Sequence, residues 1–565
     1  MKMSRVLPLA ALLCAPLAPT RTVRAEPPLL GLSGLFDLDP ATWEGLGDGA
    51  KLAFYGARAD LARSLGASAV RLGSGAPDLF SESALQGTFP WLVTDRVVGA
   101  LGARDLDLVV TLTQPVPASQ KTAYRQFMTH LVERYDGDGD FGVSGAEVQF
   151  DHPDLDDSGA VSVADWNAPA ADKASWGSGH LLARIEVGDR VREAEEASVV
   201  VASDYAAQLG AVAQAISGSS AALSVVLAGT DMDRETKARF LERLSGADLG
   251  RISAAGAHFR TKVADLDSAR ALTALDAFLA WRDEAGLGAA EAWVTELSVG
   301  AAPAGSGPGP CVDPRCSPRT QVHGLVRLVL SALAKGYTRV YYHGGLEIDG
   351  QASTVGLVTG PATAALNTEP TGLAPRPAYA VWRKLPEILA GAAPTKLGAL
   401  PTNVAGVRVA TGHVLWFDWT LEVGPGQPYD AMRRKEVELR GLTTPSVRVV
   451  SLWPTDLGSH LGTDGAVDAR WDETLVPVDD AGTAVVTVGE DPVWVVPSDV
   501  VVGAELDEGD VSAPDAADTV EVAPAGPASD GGCQGGLAGS LLAWLGTVVA
   551  VWRGGLARRG APGRG

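Results

Sequence analysis

The stretch Glu291-Ala-Trp-Val-Thr-Glu296-Leu-Ser-Val-Gly300 decides how the chain is read. Trp293 and Val294 continue an apolar run, and Glu296 closes it ahead of a long loop rich in Gly and Pro. The run reads as a short buried strand with a carboxylate at its C-terminal end, aimed into the cleft that strand ends form. In a barrel of alternating strands and helices, chemistry sits on that face. A solvated strand-end acid is the bland alternative, and the chain on either side weighs between the two.

On both sides of this stretch, short apolar or β-branched runs alternate with helical patterns. Strands are expected at 29–32, 67–72, 106–113, 180–187, 223–227, 252–259, 292–296 and 339–342. Helices are expected at 51–65, 95–103, 119–135, 197–216, 235–244, 268–284, 320–335 and 377–389; in the third, Ala123, Phe127 and Leu131 recur at helical spacing. This order predicts an α/β chain with a (β/α)8 TIM barrel over 26–391. The competing doubly wound sheet wants a Gly-rich dinucleotide turn after its first strand, and the sequence has none there.

Beyond 392 the pattern changes to strands alone, at 404–410, 413–419, 436–439, 446–452, 483–488 and 493–496. Turn residues separate them, so a small antiparallel β-sandwich is expected over 392–499. Trp416, Trp419, Trp453 and Trp494 lie on or near these strands and read as core packing. Residues 500–531 are acidic and rich in Ala and Pro, the composition of a flexible stalk. With 565 residues and only 20% charged, this is a globular chain long enough for several domains. The net charge of −22 argues against nucleic acid as a partner, because phosphate binding needs a basic face.

Both ends carry processing signals. Lys2 and Arg5 precede an apolar stretch, and Val23-Arg24-Ala25 offers a cleavage site, so 1–25 reads as a signal peptide. Cys14 falls inside it behind Leu13, where a lipoprotein signal needs a small residue, so N-terminal lipidation is not expected. In 532–565, Gly532-Cys533 precedes an uncharged, mostly apolar run at 537–552 and then Arg553, Arg558 and Arg559. This order resembles the myxobacterial C-terminal sorting signal. The resemblance implies that the tail is removed, Cys533 is lipidated and the protein is held at the outer cell surface. An ordinary membrane anchor predicts nearly the same location. Cys311 and Cys316 remain; two thiols make a poor zinc site, and in an exported protein a local disulfide is expected.

An acidic insert at 136–169 carries calcium-like spacing. Asp154, Asp156, Ser158 and Asp165 fall at loop positions 1, 3, 5 and 12, with Gly159 at the sharp turn and the Ala160 carbonyl at position 7. The loop resembles those of EF-hands, in the dockerin-like form because position 12 is Asp. A second candidate offers Asp136, Asp138, Asp140, Gly142 and Glu147, with Phe141 where glycine belongs. An Asp/Gly-rich solvated loop is the alternative for each. Ca2+ is the one cofactor expected.

Trp293-Val-Thr-Glu296 resembles the seventh-strand motif of the clan A glycoside hydrolases, in which that glutamate is the nucleophile. The resemblance spans 29–389 and implies carbohydrate as the ligand. It places Arg71 and His258 around the site, with Trp293 and Tyr342 as further substrate contacts. Retaining hydrolysis needs a second carboxyl group ~5 Å away, which the clan takes from Asn-Glu-Pro ending strand four. Here the matching residues are Asp189, Arg190 and Val191, and an arginine donates no proton at a useful pH. Asp189 or Glu186 is then the substitute acid/base. Two functions stay open: a catalytically degenerate barrel that binds glycan or a partner, and an active retaining glycosidase.

Overall fold

The computed structural model describes residues 28–37, 45–72, 98, 100–102, 104, 106–112, 124–125, 127–128, 131–132, 184–190, 207–214, 216, 224–231, 252–261, 270–299, 318–348, 356–360, 372–398, 400–417, 434–462 and 465–499. Eight parallel strands close into a barrel in chain order. They are β1 (Leu29–Ser33), β2 (Ala69–Leu72), β3 (Asp107–Leu112), β4 (Arg184–Arg190), β5 (Ser224–Asp231), β6 (Ile252–Thr261), β7 (Glu291–Val299) and β8 (Tyr337–His343). β8 closes on β1 with Leu29 opposite Arg339 and Ser33 opposite His343. Around the barrel lie α1 (Asp48–Ser64), α2 (Arg270–Glu284), α3 (Pro318–Ala334) and, after β8, α4 (Pro377–Leu389). Helical residues near 100, 128 and 210 fall in the connections that follow β2, β3 and β4.

The strands are nearly all buried because helices cover one face and the barrel lumen the other. Outward residues such as Leu32, Val70, Val110, Ile185 and Val294 join one large core with the helices. Inward residues Ala69, Val109, Val226, Ala254, Trp293 and Tyr341 form their own cluster in the lumen. Gly31 makes this middle layer possible, since a Cβ there would come 2.5 Å from the Tyr341 ring. At the N-terminal end, Arg339 and Arg184 lie 5.0 and 5.9 Å from the Trp293 ring centroid. Glu291 accepts from the Trp293 indole and from Thr338, each at 2.7 Å. The lumen floor is therefore plugged by aromatic rings and ion pairs, and only the C-terminal end is left for chemistry.

Two boundaries differ from expectation in ways that matter. β7 does not end at Glu296 but runs to Val299, with Leu297 and Val299 packed outward into the helical layer. β4 runs on to Arg190 rather than stopping at 187. Three short strands absent from the sequence reading, β9 (Leu346–Ile348), β10 (Val358–Gly360) and β11 (Ala374–Pro375), make a small sheet after β8.

The C-terminal strands form a six-stranded and a two-stranded sheet. In chain order these are β12 (Thr395–Lys396), β13 (Val404–Val409), β14 (Gly412–Phe417), β15 (Lys435–Arg440), β16 (Ser446–Asp456), β17 (Arg470–Pro477), β18 (Thr483–Val488) and β19 (Val493–Pro497). The large sheet runs β12-β13-β14-β19-β16-β17, and β15 pairs with β18. Val404, Leu415, Val437, Val447 and Val486 share the core between the sheets. The opposite face of the large sheet, with Trp416 and Trp494, merges into the barrel core. Those two tryptophans are core residues, as expected, at 2% and 1% exposure. β17 escaped notice because it is an edge strand, mostly exposed, without apolar alternation.

α3 lies between barrel and sandwich and is buried along Thr320–Leu333, consistent with apolar residues around its circumference. The seam is pinned by a forked ion pair from Arg319 to Asp491 at 2.7 and 3.0 Å, with Arg319 also over Trp453. His323 Nε2 meets the Phe417 carbonyl at 3.0 Å. Barrel and sandwich belong to one compact unit that ends at Val502.

Candidate functional site

Alternation along β7 would put Trp293, Thr295 and Leu297 on one face, leaving Glu296 pointing away from the lumen. The register shifts in both of its pairings, between Ala257 and His258 on β6 and between Val294 and Leu297 on the β8 side. This bulge changes the parity, so Glu296 joins the inward set while Leu297 turns out to the helices. Glu296 then stands opposite His258, its partner in the β6–β7 register.

Arg71 organises what lies above the apolar middle layer. Its Nε donates to Glu186 Oε2 at 2.5 Å, and its NH1 donates to Glu296 Oε1 at 3.0 Å and to Ser33 Oγ at 3.1 Å. Its NH2 faces His258 Nε2 at 3.4 Å. Thr111 donates to the same Glu186 oxygen at 2.9 Å. With His258 Nε2 accepting from the guanidinium, its Nδ1 carries the proton toward Glu296 Oε2, 3.5 Å away. His343 Nδ1 lies 3.8 Å from the other oxygen, Glu296 Oε1. Six strands (β1, β2, β3, β4, β6 and β7) thus contribute to the Arg71 network, and β8 brings His343 to its edge.

Arg71 and Glu186 are fully buried and Glu296 is 2% exposed, so these charges interact in a medium far less screening than water. Burying them costs desolvation, and hydrogen bonds from all three guanidinium nitrogens offset it. A planar fork makes these bonds at fixed angles; a lysine ammonium in its place would not.

The structure brings together four of the residues singled out from sequence: Arg71, Glu186, His258 and Glu296. Two others are corrected. Trp293 points into the lumen on the floor side, 1% exposed and packed on Tyr341, so it does not face a ligand at the C-terminal mouth. Tyr342 faces outward, its ring tilted at 53° to that of Trp382, and is hydrogen-bonded by Gln321 at 3.1 Å. The backbone of Asp189 and Arg190 belongs to β4, where Arg190 pairs with Gly229 after a shift at Gly188, whose φ is +81°. The side chains of Asp189 and Arg190 lie outside the described residues. So do the calcium candidates in 136–169, Cys311 and Cys316, Cys533, the leader and the stretch 500–565.

Sequence reading missed Ser33, Thr111 and His343. His343 carries no local motif, and closure of β8 on β1 is what brings it to the site. The usable signal was position: each sits at or next to the C-terminal end of a barrel strand. Among the described residues, no group of three or more His, Cys, Asp and Glu could hold a metal ion. Among them, too, no helix is long and apolar enough to cross a membrane.

No protein-family model and no curated protein matches the chain. Solved structures similar to it include a glucosidase from Croceicoccus marinus, at 12% identity and a TM-score of 0.47 over 83% of this chain and 96% of that one. An α-L-arabinofuranosidase from Thermotoga maritima is similar at 9% identity and a TM-score of 0.46, over 84% of this chain and 96% of that one. A GH39 enzyme from Xanthomonas axonopodis pv. citri is similar at 11% identity and a TM-score of 0.43, over 85% of this chain and all of that one. At such scores the likeness carries no argument about activity, and the barrel stands on its own strand register.

Proposed function

We propose that this chain is an exported, surface-held carbohydrate-binding protein built on a retaining-glycosidase layout. Glu296 keeps the nucleophile's place, while Arg190 stands where the clan carries its strand-four acid, so natural glycans are bound and turned over poorly. The observation that carries this reading is the division of one guanidinium between two buried carboxylates. A general acid has to be protonated and within reach of the departing oxygen. Glu186 is neither placed nor free for that: it is fully buried, and one of its oxygens receives both Arg71 and Thr111. It serves instead as the anchor that fixes Arg71, which in turn orients Glu296 as an anion.

Calcium at 154–165, and more weakly at 136–147, belongs to the same proposal, as do the disulfide between Cys311 and Cys316 and lipidation at Cys533. Calcium rests on the spacing of oxygen ligands, the disulfide on two thiols in an exported chain, and lipidation on the resemblance of the tail to a sorting signal. The direct test is calorimetric titration of the protein against a panel of oligosaccharides, with release of reducing sugar measured on each. Binding with little release supports the reading. Turnover of a natural glycan at an ordinary enzyme's rate, roughly 1–10³ s⁻¹, would overturn its degenerate part, and no binding across the panel would overturn its carbohydrate part.

A further inference from the structure

We propose that His343 is the proton-transfer group of this site, a weaker substitute for the acid whose clan position Arg190 occupies, and the source of the slow turnover that remains. The proposal rests on the reading of Glu296 as a retaining nucleophile. His343 is the last residue of β8, at the C-terminal mouth, and its side chain is 18% exposed while those of Arg71, Glu186, His258 and Glu296 are 0–2% exposed. It is therefore the most exposed of these five side chains, standing beside Glu296 at the mouth. Its Nδ1 lies 3.8 Å from Glu296 Oε1. In a retaining pair the two groups flank one glycosidic bond ~5 Å apart, a separation of the same order.

The ring is held there by backbone. Gly34, at φ +72°, lies so close beneath it that a Cβ would come 2.6 Å from Cε1 and 2.7 Å from Nδ1. Among the described residues, charged and titratable groups near His343 include Glu296 on β7, then Arg71 on β2 and His258 on β6 behind that carboxylate. β1 presents Ser33 in register and no charge.

In the first step, a Glu296 oxygen bonds to the anomeric carbon as the glycosidic C–O bond breaks. The departing oxygen keeps the electron pair and takes the proton of the imidazolium. In the second, the neutral imidazole takes a proton from water, whose oxygen attacks the anomeric carbon and releases Glu296 as a carboxylate. Water is the only co-reactant.

The experiment uses the full chain with a panel of 2,4-dinitrophenyl glycosides, whose leaving group departs without a proton. The unaltered protein should give a burst of dinitrophenol and a glycosyl adduct on Glu296. His343→Gln should keep the burst and slow the steady state at least 10-fold, within the range general acid–base catalysis supplies. Azide, a nucleophile that needs no base, should restore that loss and yield a glycosyl azide, a readout that a merely structural role does not move. His343→Asn serves if the glutamine variant does not fold. An unchanged steady state in a folded His343 variant, or no azide rescue, overturns the role of His343 while leaving the nucleophile intact. No adduct on Glu296 in the unaltered protein overturns both readings.

Discussion

Arg71 donates to Glu296 at 3.0 Å across 225 positions of sequence, from the second barrel strand to the seventh. The same guanidinium holds Glu186 on the fourth at 2.5 Å. One cation therefore fixes Glu296 and also Glu186, which the sequence offered beside Asp189 as the substitute acid/base, and the first prediction tests that division.

Replacing Arg71 alone leaves two buried carboxylates without their cation. Arg71→Met should cost ~3–5 kcal/mol, the range for breaking a buried ion pair by removing one partner. Adding Glu186→Gln and Glu296→Gln should return most of it, since the charges are then gone as well. Urea unfolding of the single and triple variants measures both. A triple variant no more stable than Arg71→Met would mean that Arg71 acts through packing and not charge.

Gly34 supports His343 from below with a backbone that L side chains rarely adopt. Gly34→Ala should lose ~1–2 kcal/mol from the left-handed conformation alone. It should also move the His343 ring, slowing turnover of activated glycosides while a glycosyl adduct still forms on Glu296. Stability and adduct mass on one variant separate the two effects.

An activated aryl glycoside needs only the nucleophile for its first step. Trapping on Glu296 is expected in the unaltered protein, and Arg190→Glu should raise hydrolysis of natural glycans by restoring a carboxyl group at the clan's acid position. Peptide mapping of the labelled protein and reducing-sugar assays read these outcomes. A label on Asp189 or Glu186 in place of Glu296 would reassign the nucleophile.

Calcium added to metal-free protein should raise its melting temperature, because a ligand of the native state stabilises it by mass action. Asp154→Ala should remove most of that rise and Asp138→Ala a smaller part. A melting curve indifferent to chelator would rule out the calcium loops.

Protein taken from the native cell surface should end at or near Cys533 when its mass is measured. A mature chain that retains Arg558 and Arg559 would leave a plain anchor in place of a processed one.

By itself the sequence determined the class of the fold. Eight buried runs spaced by helical patterns predict the barrel, and strand runs after 392 predict the sandwich, because hydrophobic period is a local property. It also singled out Arg71, Glu186, His258 and Glu296 as polar residues on barrel strands.

Which way those residues face was settled only in three dimensions. Side-chain direction along a strand follows parity, and one bulge in β7 reverses it between Trp293 and Glu296, so no local pattern carries that information. Tyr341 and Tyr342 look alike in sequence, yet the first fills the lumen and the second packs outward on Trp382. His343 reached the edge of the site only when the last strand closed on the first. Arg71 could be named from its strand, but that it binds both carboxylates depends on the register of strands whose residues lie 115 and 225 positions apart.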